Sequence, residues 1–253
     1  MYCDSHAHLD DRRFDDDRDV IFDELATHDV RLIVNIGCDL PSSERSVALA
    51  EKYPFVYAAV GSHPDDADHV SGKLLDRYRT LAQHEKVVAI GEIGLDYYYD
   101  DIPREIQLNA FEEQMELAEA LKLPVIVHMR DATQDALQVV QWHPDVKGVF
   151  HCFSGSVDTA KWLVERGWYV GFTGVVTFKN AKKAVEVVNA IPIEHILTET
   201  DCPYMSPEPY RGKRNDSRNI PLIAAKIAEI KSMSTEDVGR ITTENVKRLF
   251  RIP

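Results

Sequence analysis

Histidines and carboxylates able to hold divalent metal ions recur along this chain at short, definite spacings. His6 and His8 stand as H-x-H, His63 lies in Gly61-Ser62-His63-Pro64, and Glu92 opens Glu92-Ile93-Gly94-Leu95-Asp96. His128 and His151 each close a run of apolar residues, and Glu199 and Asp201 stand in Thr198-Glu199-Thr200-Asp201-Cys202-Pro203. Neutral imidazoles and carboxylates suit zinc, manganese or similar divalent ions. On a strand, the period of two puts the rings of an H-x-H pair on one face, so His6 and His8 can grip one ion together. There are too many donors for a single tetrahedral ion. Two ions sharing Glu92 as a bridge would take His6, His8 and Asp201 on one and His128 and His151 on the other, leaving room for water. A hydroxide held between two such ions would be a strong nucleophile at neutral pH.

The elements that must position these residues alternate along the whole sequence. Short β-rich segments are expected at 1–6, 32–37, 56–62, 87–92, 125–128, 148–151, 169–173 and 196–199, and runs such as Leu32-Ile33-Val34 and Val125-Ile126-Val127 suit strands buried on both faces. Between them apolar residues fall three or four apart, as in Leu108, Phe111, Met115 and Ala118, or Ile223, Ile227 and Ile230. A last helix is expected from Ser234, with Asp237 in the place of a capping-box residue, toward Phe250. Eight β/α repeats at this length predict a (β/α)₈ TIM barrel, with a doubly wound open sheet as the alternative. No linker or composition break divides residues 1–253, so a single domain is expected. In a barrel the C-terminal ends of all strands meet on one face, where such folds place active sites, and the candidate donors fall at those ends. One strand-end histidine alone is more often structural; the joint pattern is what favours metal. His28, His69, His84, His143 and His195 fall in helices or loops and read as surface groups, and Cys152 reads as core by strand alternation.

Composition narrows the partners. With 253 residues and 44% hydrophobic content the chain can bury a sizeable core. No run approaches a membrane span, and Asp4, His6, His8, Asp10 and Asp11 occupy the region where a signal peptide would be apolar. A soluble, cytoplasmic protein, monomeric or weakly self-associating, is expected. Cys3, Cys38, Cys152 and Cys202 form no C-x-x-C pair, which suits reduced thiols and speaks against a structural zinc or iron–sulfur site. The net charge of −13 disfavours bulk nucleic-acid binding. Two divalent ions would place positive charge where a scissile phosphate must sit, leaving weak engagement of single strands or strand ends. Cationic candidates for phosphate are Arg130 and, in the long loop 202–219, Arg211, Lys213, Arg214 and Arg218; a solvated basic loop is the alternative. Tyr97, Tyr98 and Tyr99 could stack on an unpaired base or serve as packing.

Together Asp4-Ser5-His6-Ala7-His8-Leu9, Gly61-Ser62-His63-Pro64, Gly91-Glu92-Ile93-Gly94-Leu95-Asp96, Val127-His128-Met129-Arg130, His151-Cys152-Phe153-Ser154-Gly155 and Glu199-Thr200-Asp201-Cys202-Pro203 resemble the TatD-type metal-dependent deoxyribonucleases of the amidohydrolase superfamily. The resemblance spans essentially the whole chain with its motifs in order. It implies a (β/α)₈ barrel with two or three Zn, Mg or Mn ions, and a phosphodiesterase acting on DNA, often as a 3′ exonuclease. Glu92, His128, His151 and Asp201 would be ligands, joined by the His6 and His8 pair that some members lack. His63 would contact the scissile phosphate, and Glu199 would hold a third ion or line the substrate site. Asp201 is expected to act also as the general base. Hydrolysis of an ester or amide, as by an aminoacyl-tRNA deacylase, is the alternative; the amide form is weakened because no lysine stands at a strand end to serve as a bridging carboxylated ligand. A silent binding protein would require lost ligands, and none of the expected ones is missing.

Overall fold

The computed structural model describes residues 1–99 and 101–253. Its strands are β1 (Tyr2–Ala7), β2 (Val30–Ile36), β3 (Val56–Val60), β4 (Val87–Asp96), β5 (Val125–Arg130), β6 (Gly148–Phe150), β7 (Tyr169–Phe172) and β8 (Ile196–Thr198). Each is followed by a helix: α1 (Arg18–Glu24), α2 (Leu40–Lys52), α3 (Gly72–Leu81), α4 (Arg104–Leu121), α5 (Thr133–Trp142), α6 (Val157–Glu165), α7 (Lys182–Ala190) and α8 (Ile220–Lys231), with α9 (Thr235–Phe250) last. The strands form one eight-stranded sheet in chain order from β1 to β8. A doubly wound sheet reverses its strand order at a switch point, so this sequential order selects the (β/α)₈ class. No described helix is long and apolar enough to cross a membrane.

The chain forms two compact units, residues 36–150 and residues 1–35 with 151–253. In the contiguous unit, β4 is the spine. All ten of its residues are buried, as expected of a strand covered on both faces. It pairs in parallel with β3 and β5, with Gly94 opposite His128 and Asp96 opposite Arg130. The strand runs four residues beyond the expected end at Glu92, through Gly94. Gly94 has φ +137°, and a Cβ there would strike the His128 carbonyl, so only glycine lets the chain pair this closely at that point. The buried face of α4 carries Ala110, Phe111, Met115 and Ala118, flanked by Gln107 and Gln114 seven residues apart. Gln114 brackets the Ser62 peptide, accepting from its amide at 2.7 Å and donating to its carbonyl at 3.1 Å. Gln107 does the same for Asp96, at 2.9 Å each way. The helix thereby fixes the backbone at Asp96 and at the residue before His63.

In the other unit β7 pairs with β8 and β1 with β2. β8 reaches β1 through the Asp201 amide on the His6 carbonyl and the His8 amide on the Cys202 carbonyl, both at 2.9 Å. Buried Ile33, Val170, Leu197, Ile223, Ile227, Val238 and Val246 supply its core. The α9 start matches expectation: Ser234 is the N-cap, its hydroxyl accepting from the Asp237 amide at 3.1 Å. Gly171 on β7 lies against the Glu199 carboxylate, and a Cβ there would overlap it. Gly171→Ala is therefore expected to lower stability by about 1–3 kcal/mol, the cost of overpacking a closed interior, read as a lower urea midpoint at unchanged slope.

Candidate metal centre

In the N- and C-terminal unit, β1 and the segment after β8 bring His6, His8 and Asp201 together, with one donor atom from each within 4.8 Å of the others. The facing His6 and His8 Nε2 atoms are 3.1 Å apart, and Asp201 Oδ1 lies 3.5 Å from that of His8 and 3.8 Å from that of His6. Asp201 sits at φ 54°, in the left-handed region that aspartate tolerates better than most residues. Beneath it, Asp4 ties β1 to the far end of the chain. Its carboxylate accepts from the Thr200 amide at 2.9 Å and from the Thr200 and Ser217 hydroxyls at 2.6 Å each. The loop after His8 is pinned in turn by Asn35, whose side chain accepts from the Leu9 amide at 2.7 Å and donates to Asp10 at 2.9 Å.

His151 stacks on His6, ring centroids 4.0 Å apart. It lies one residue beyond β6, which ends at Phe150 rather than at His151 as the sequence suggested. Glu199 is fully buried and accepts from the Cys152 amide at 2.5 Å, with His151 Nδ1 3.8 Å away. Cys152 is thus not an alternating strand residue: it turns at φ 41°, is half-buried, and offers its amide to Glu199.

In the contiguous unit His63, Glu92 and His128 form a second set within 4.8 Å. His128 lies between two carboxylates, Nδ1 2.9 Å from Glu92 Oε1 and Nε2 3.0 Å from Asp96 Oδ2. His63 Nε2 is 3.7 Å from Glu92 Oε1, while its Nδ1 side is engaged by Asp65, and its ring meets that of His128 edge-on at 4.5 Å. The sequence reading assigned His63 to phosphate alone; the geometry also makes it a possible ligand. The Cys38 thiol lies 3.8 Å from Glu92 Oε2.

Both sets pass a simple chemical test for a divalent ion. Each offers two imidazoles and one carboxylate, three protein ligands with positions left over, as in hydrolytic rather than structural metal sites. The His128–Asp96 bond also has the form in which a ligating imidazole gives its other N–H to a carboxylate.

Electrostatics follow from this crowding. Burial disfavours the charged form of His128, but hydrogen bonds to Asp96 and Glu92 outweigh it and push its pKa up to about 9. Burial also works against Asp201, yet the hydrogen bond from His8 and the charges of His151, His6 and His8 hold it below the ordinary carboxylate value. Glu199 is pushed up to about 8 by burial, only partly relieved by His151. For His128 the folded protein binds its proton more tightly than the unfolded chain does. That stabilisation is complete below pH 6.5 and lost as pH rises to about 9. Glu199 acts in the same direction, since from pH 4.5 to about 8 the folded form holds a proton the unfolded form has released. The urea midpoint of the chelated protein is therefore expected to fall as pH rises from 6.5 to about 9, and Asp96→Asn to flatten the fall. A flat profile in the parent would show that these protons are not held as described.

The remaining candidates divide by what holds them. Arg214 is paired with Asp17, and Arg218 with Asp216 and Glu24. The Arg211 guanidinium lies 4.1 Å over the Phe178 ring, and that of Arg130 lies 3.7 Å over Tyr98. Tyr97 gives its hydroxyl to Asp135 at 2.7 Å and its ring to Arg104 at 4.3 Å. His143, read as a surface group, is buried against Glu119 at 3.2 Å, because it closes α5 on its inner side. Sequence reasoning missed Asp96 and Asp4; continuing the strand past Glu92, and counting back two from His6, would have found them.

Residues 3–251 match the family model described as "TatD related DNase". The chain belongs to the TatD family. This TatD-family chain is 44% identical over 254 residues to an uncharacterized metal-dependent hydrolase, YabD, of Bacillus subtilis strain 168, with all of both chains covered. It is 34% identical to an uncharacterized metal-dependent hydrolase, TatD, of Mycobacterium tuberculosis, covering 98% of this chain and 97% of that one. Among solved structures it is similar to YJJV, a TatD homolog of Escherichia coli K12, with TM-score 0.93 at 30% identity, covering 100% of this chain and 98% of that one. This TatD-family chain is a metal-dependent hydrolase on a (β/α)₈ fold.

Proposed function

We propose that this hydrolase is a deoxyribonuclease, one catalytic domain working in the cytoplasm as a monomer or weak oligomer and removing nucleotides from 3′ ends of single-stranded DNA. The observation that carries the reading is the match of nearly the whole chain to a model described as a DNase, by a sequence that supplies a complete set of His and carboxylate donors in each unit. Among the described residues no disulfide joins Cys3, Cys38, Cys152 or Cys202, which suits a reducing compartment.

Two or three ions, Zn, Mg or Mn, would be held by His6, His8 and Asp201, by Glu92 and His128, and by His151 and Glu199. Bound divalent ions supply Lewis-acid stabilisation of the phosphate charge and lower the pKa of water. The chain's own groups do the rest. Asp201 orients the attacking water and takes its proton, a role that its depressed pKa permits, because the carboxylate is ionised at neutral pH. His63 donates to a phosphate oxygen from Nε2, its Nδ1 side being steadied by Asp65. Glu92 fixes His128 through its Nδ1. Arg130 and Arg211 hold flanking phosphates with forked guanidinium donors; Arg214 already has its charge answered by Asp17.

The test is hydrolysis of 3′- and 5′-labelled single-stranded DNA after chelation and stepwise return of manganese, magnesium or zinc. Metal-dependent release of mononucleotides from the 3′ end is expected. Release of the aminoacyl group from charged tRNA, with DNA left intact, would replace the reading with that of a deacylase.

A further inference from the structure

Tyr98 and Tyr99 are 58% and 49% exposed, a large outlay of aromatic surface to water just past β4. Their rings meet at 88° with centroids 4.9 Å apart. The Arg130 guanidinium caps Tyr98 at 3.7 Å and lies 5.2 Å from Tyr99. Arg130 makes no ion pair with a carboxylate among the described residues, in a chain where 42 acidic side chains outnumber 29 basic ones. Tyr97, by contrast, is spent on Asp135 and Arg104.

This group is held in register with the His128 set. One Asp96 carboxylate accepts from the Tyr98 amide at 2.9 Å through Oδ1 and meets His128 Nε2 at 3.0 Å through Oδ2. Arg130 stands two residues after His128 on β5, on the same face and about 7 Å farther along by strand rise. Its carbonyl accepts from the Tyr97 amide at 2.9 Å, which closes the segment onto the strand. A largely exposed ring with a guanidinium over it suits a ligand with a flat π-face and an adjacent anion. A nucleotide whose base is free of a partner has both.

We propose that Tyr98, Tyr99 and Arg130 form a subsite for one unpaired nucleotide adjacent to the nucleotide being removed. The base stacks on Tyr98 with Tyr99 at its edge, and Arg130 holds its phosphate. The subsite rests on the deoxyribonuclease reading and sharpens it: a base still paired in duplex cannot enter the stack, so frayed or single-stranded ends are the favoured substrates.

The experiment compares two labelled single-stranded oligonucleotides that differ only in the penultimate 3′ position, one with a normal base and one abasic. The parent enzyme is expected to favour the normal strand in kcat/KM by on the order of 10- to 100-fold, the effect of one lost base–aromatic stack. The double variant Tyr98→Ala with Tyr99→Ala, at exposed positions, should fold normally and cleave both strands at the parent's abasic rate. Tyr98→Phe should keep the preference. Equal rates on both strands in the parent, or an undiminished preference in the double variant, overturn the subsite. Altered self-association with unchanged preference assigns the rings to a protein contact and overturns it equally. No hydrolysis of either strand by the parent sinks the deoxyribonuclease reading itself, a result distinct from loss of the preference.

Discussion

Asp201→Asn is expected to fold as the parent does and to lose hydrolysis by on the order of 10³- to 10⁴-fold in kcat, the upper range for removing a general base. The backbone reasons for folding are intact. Asparagine, like aspartate, tolerates the φ of 54°, and the amide bond to the His6 carbonyl does not involve the side chain. What changes is charge. The carboxylate is held ionised by His8, His151 and His6, and an amide of the same shape can neither take a proton from water nor neutralise a cation beside those imidazoles. Elemental analysis should then find one bound ion fewer at saturation, with the far-ultraviolet circular dichroism unchanged. Full activity on DNA with added manganese or magnesium would remove Asp201 from the proton-transfer role.

Glu92→Gln should cost about as much by a different route, on the order of 10³-fold, comparable to the loss of a preorganised electrostatic group. Its Oε1 serves His128 at 2.9 Å and faces His63 at 3.7 Å, so one substitution loosens both imidazoles of the second set. The His128 pKa should drop from about 9 toward its ordinary value, because Asp96 alone remains to oppose burial. That shift can be followed in the metal-free protein by the ring proton resonances of His128 against pH. If activity vanished while the His128 titration stayed where it was, Glu92 would act on the ion or substrate and not through His128.

Much of this was legible in the residue order, and the reasons differ by element. The H-x-H pair needs only strand alternation, and β1 and β8 are short enough that their ends were placed within a residue or two. The bridge from Glu92 to Asp96 was not legible, because Gly94 reads as a strand breaker until its φ and its approach to His128 are seen. Nothing local marks Gln107 and Gln114 as interior residues; they are buried because the ends of β3 and β4 present peptide groups that need partners. The arginines of the long loop read as free cations, yet Asp17 and Glu24, which answer Arg214 and Arg218, lie nearly two hundred residues earlier, beyond the reach of any local pattern. Of the three tyrosines offered for stacking, Tyr97 is the one with both ring and hydroxyl engaged, by Arg104 and Asp135.

The make-up of the two units sets an order of events during synthesis. The unit of residues 36–150 is contiguous and can close while the rest of the chain is still emerging. The other is built from both ends of the chain, and its β1 has no neighbour on the β8 side until the segment around Ala7 can bridge to Cys202. His6 and His8 are made nearly two hundred residues before the carboxylate they face, Asp201. A nascent chain, or one cut short before Asp201, therefore carries two imidazoles and no acid beside them. Under the roles proposed for these residues, hydrolysis waits until the segment carrying Asp201 has been made and has joined β1.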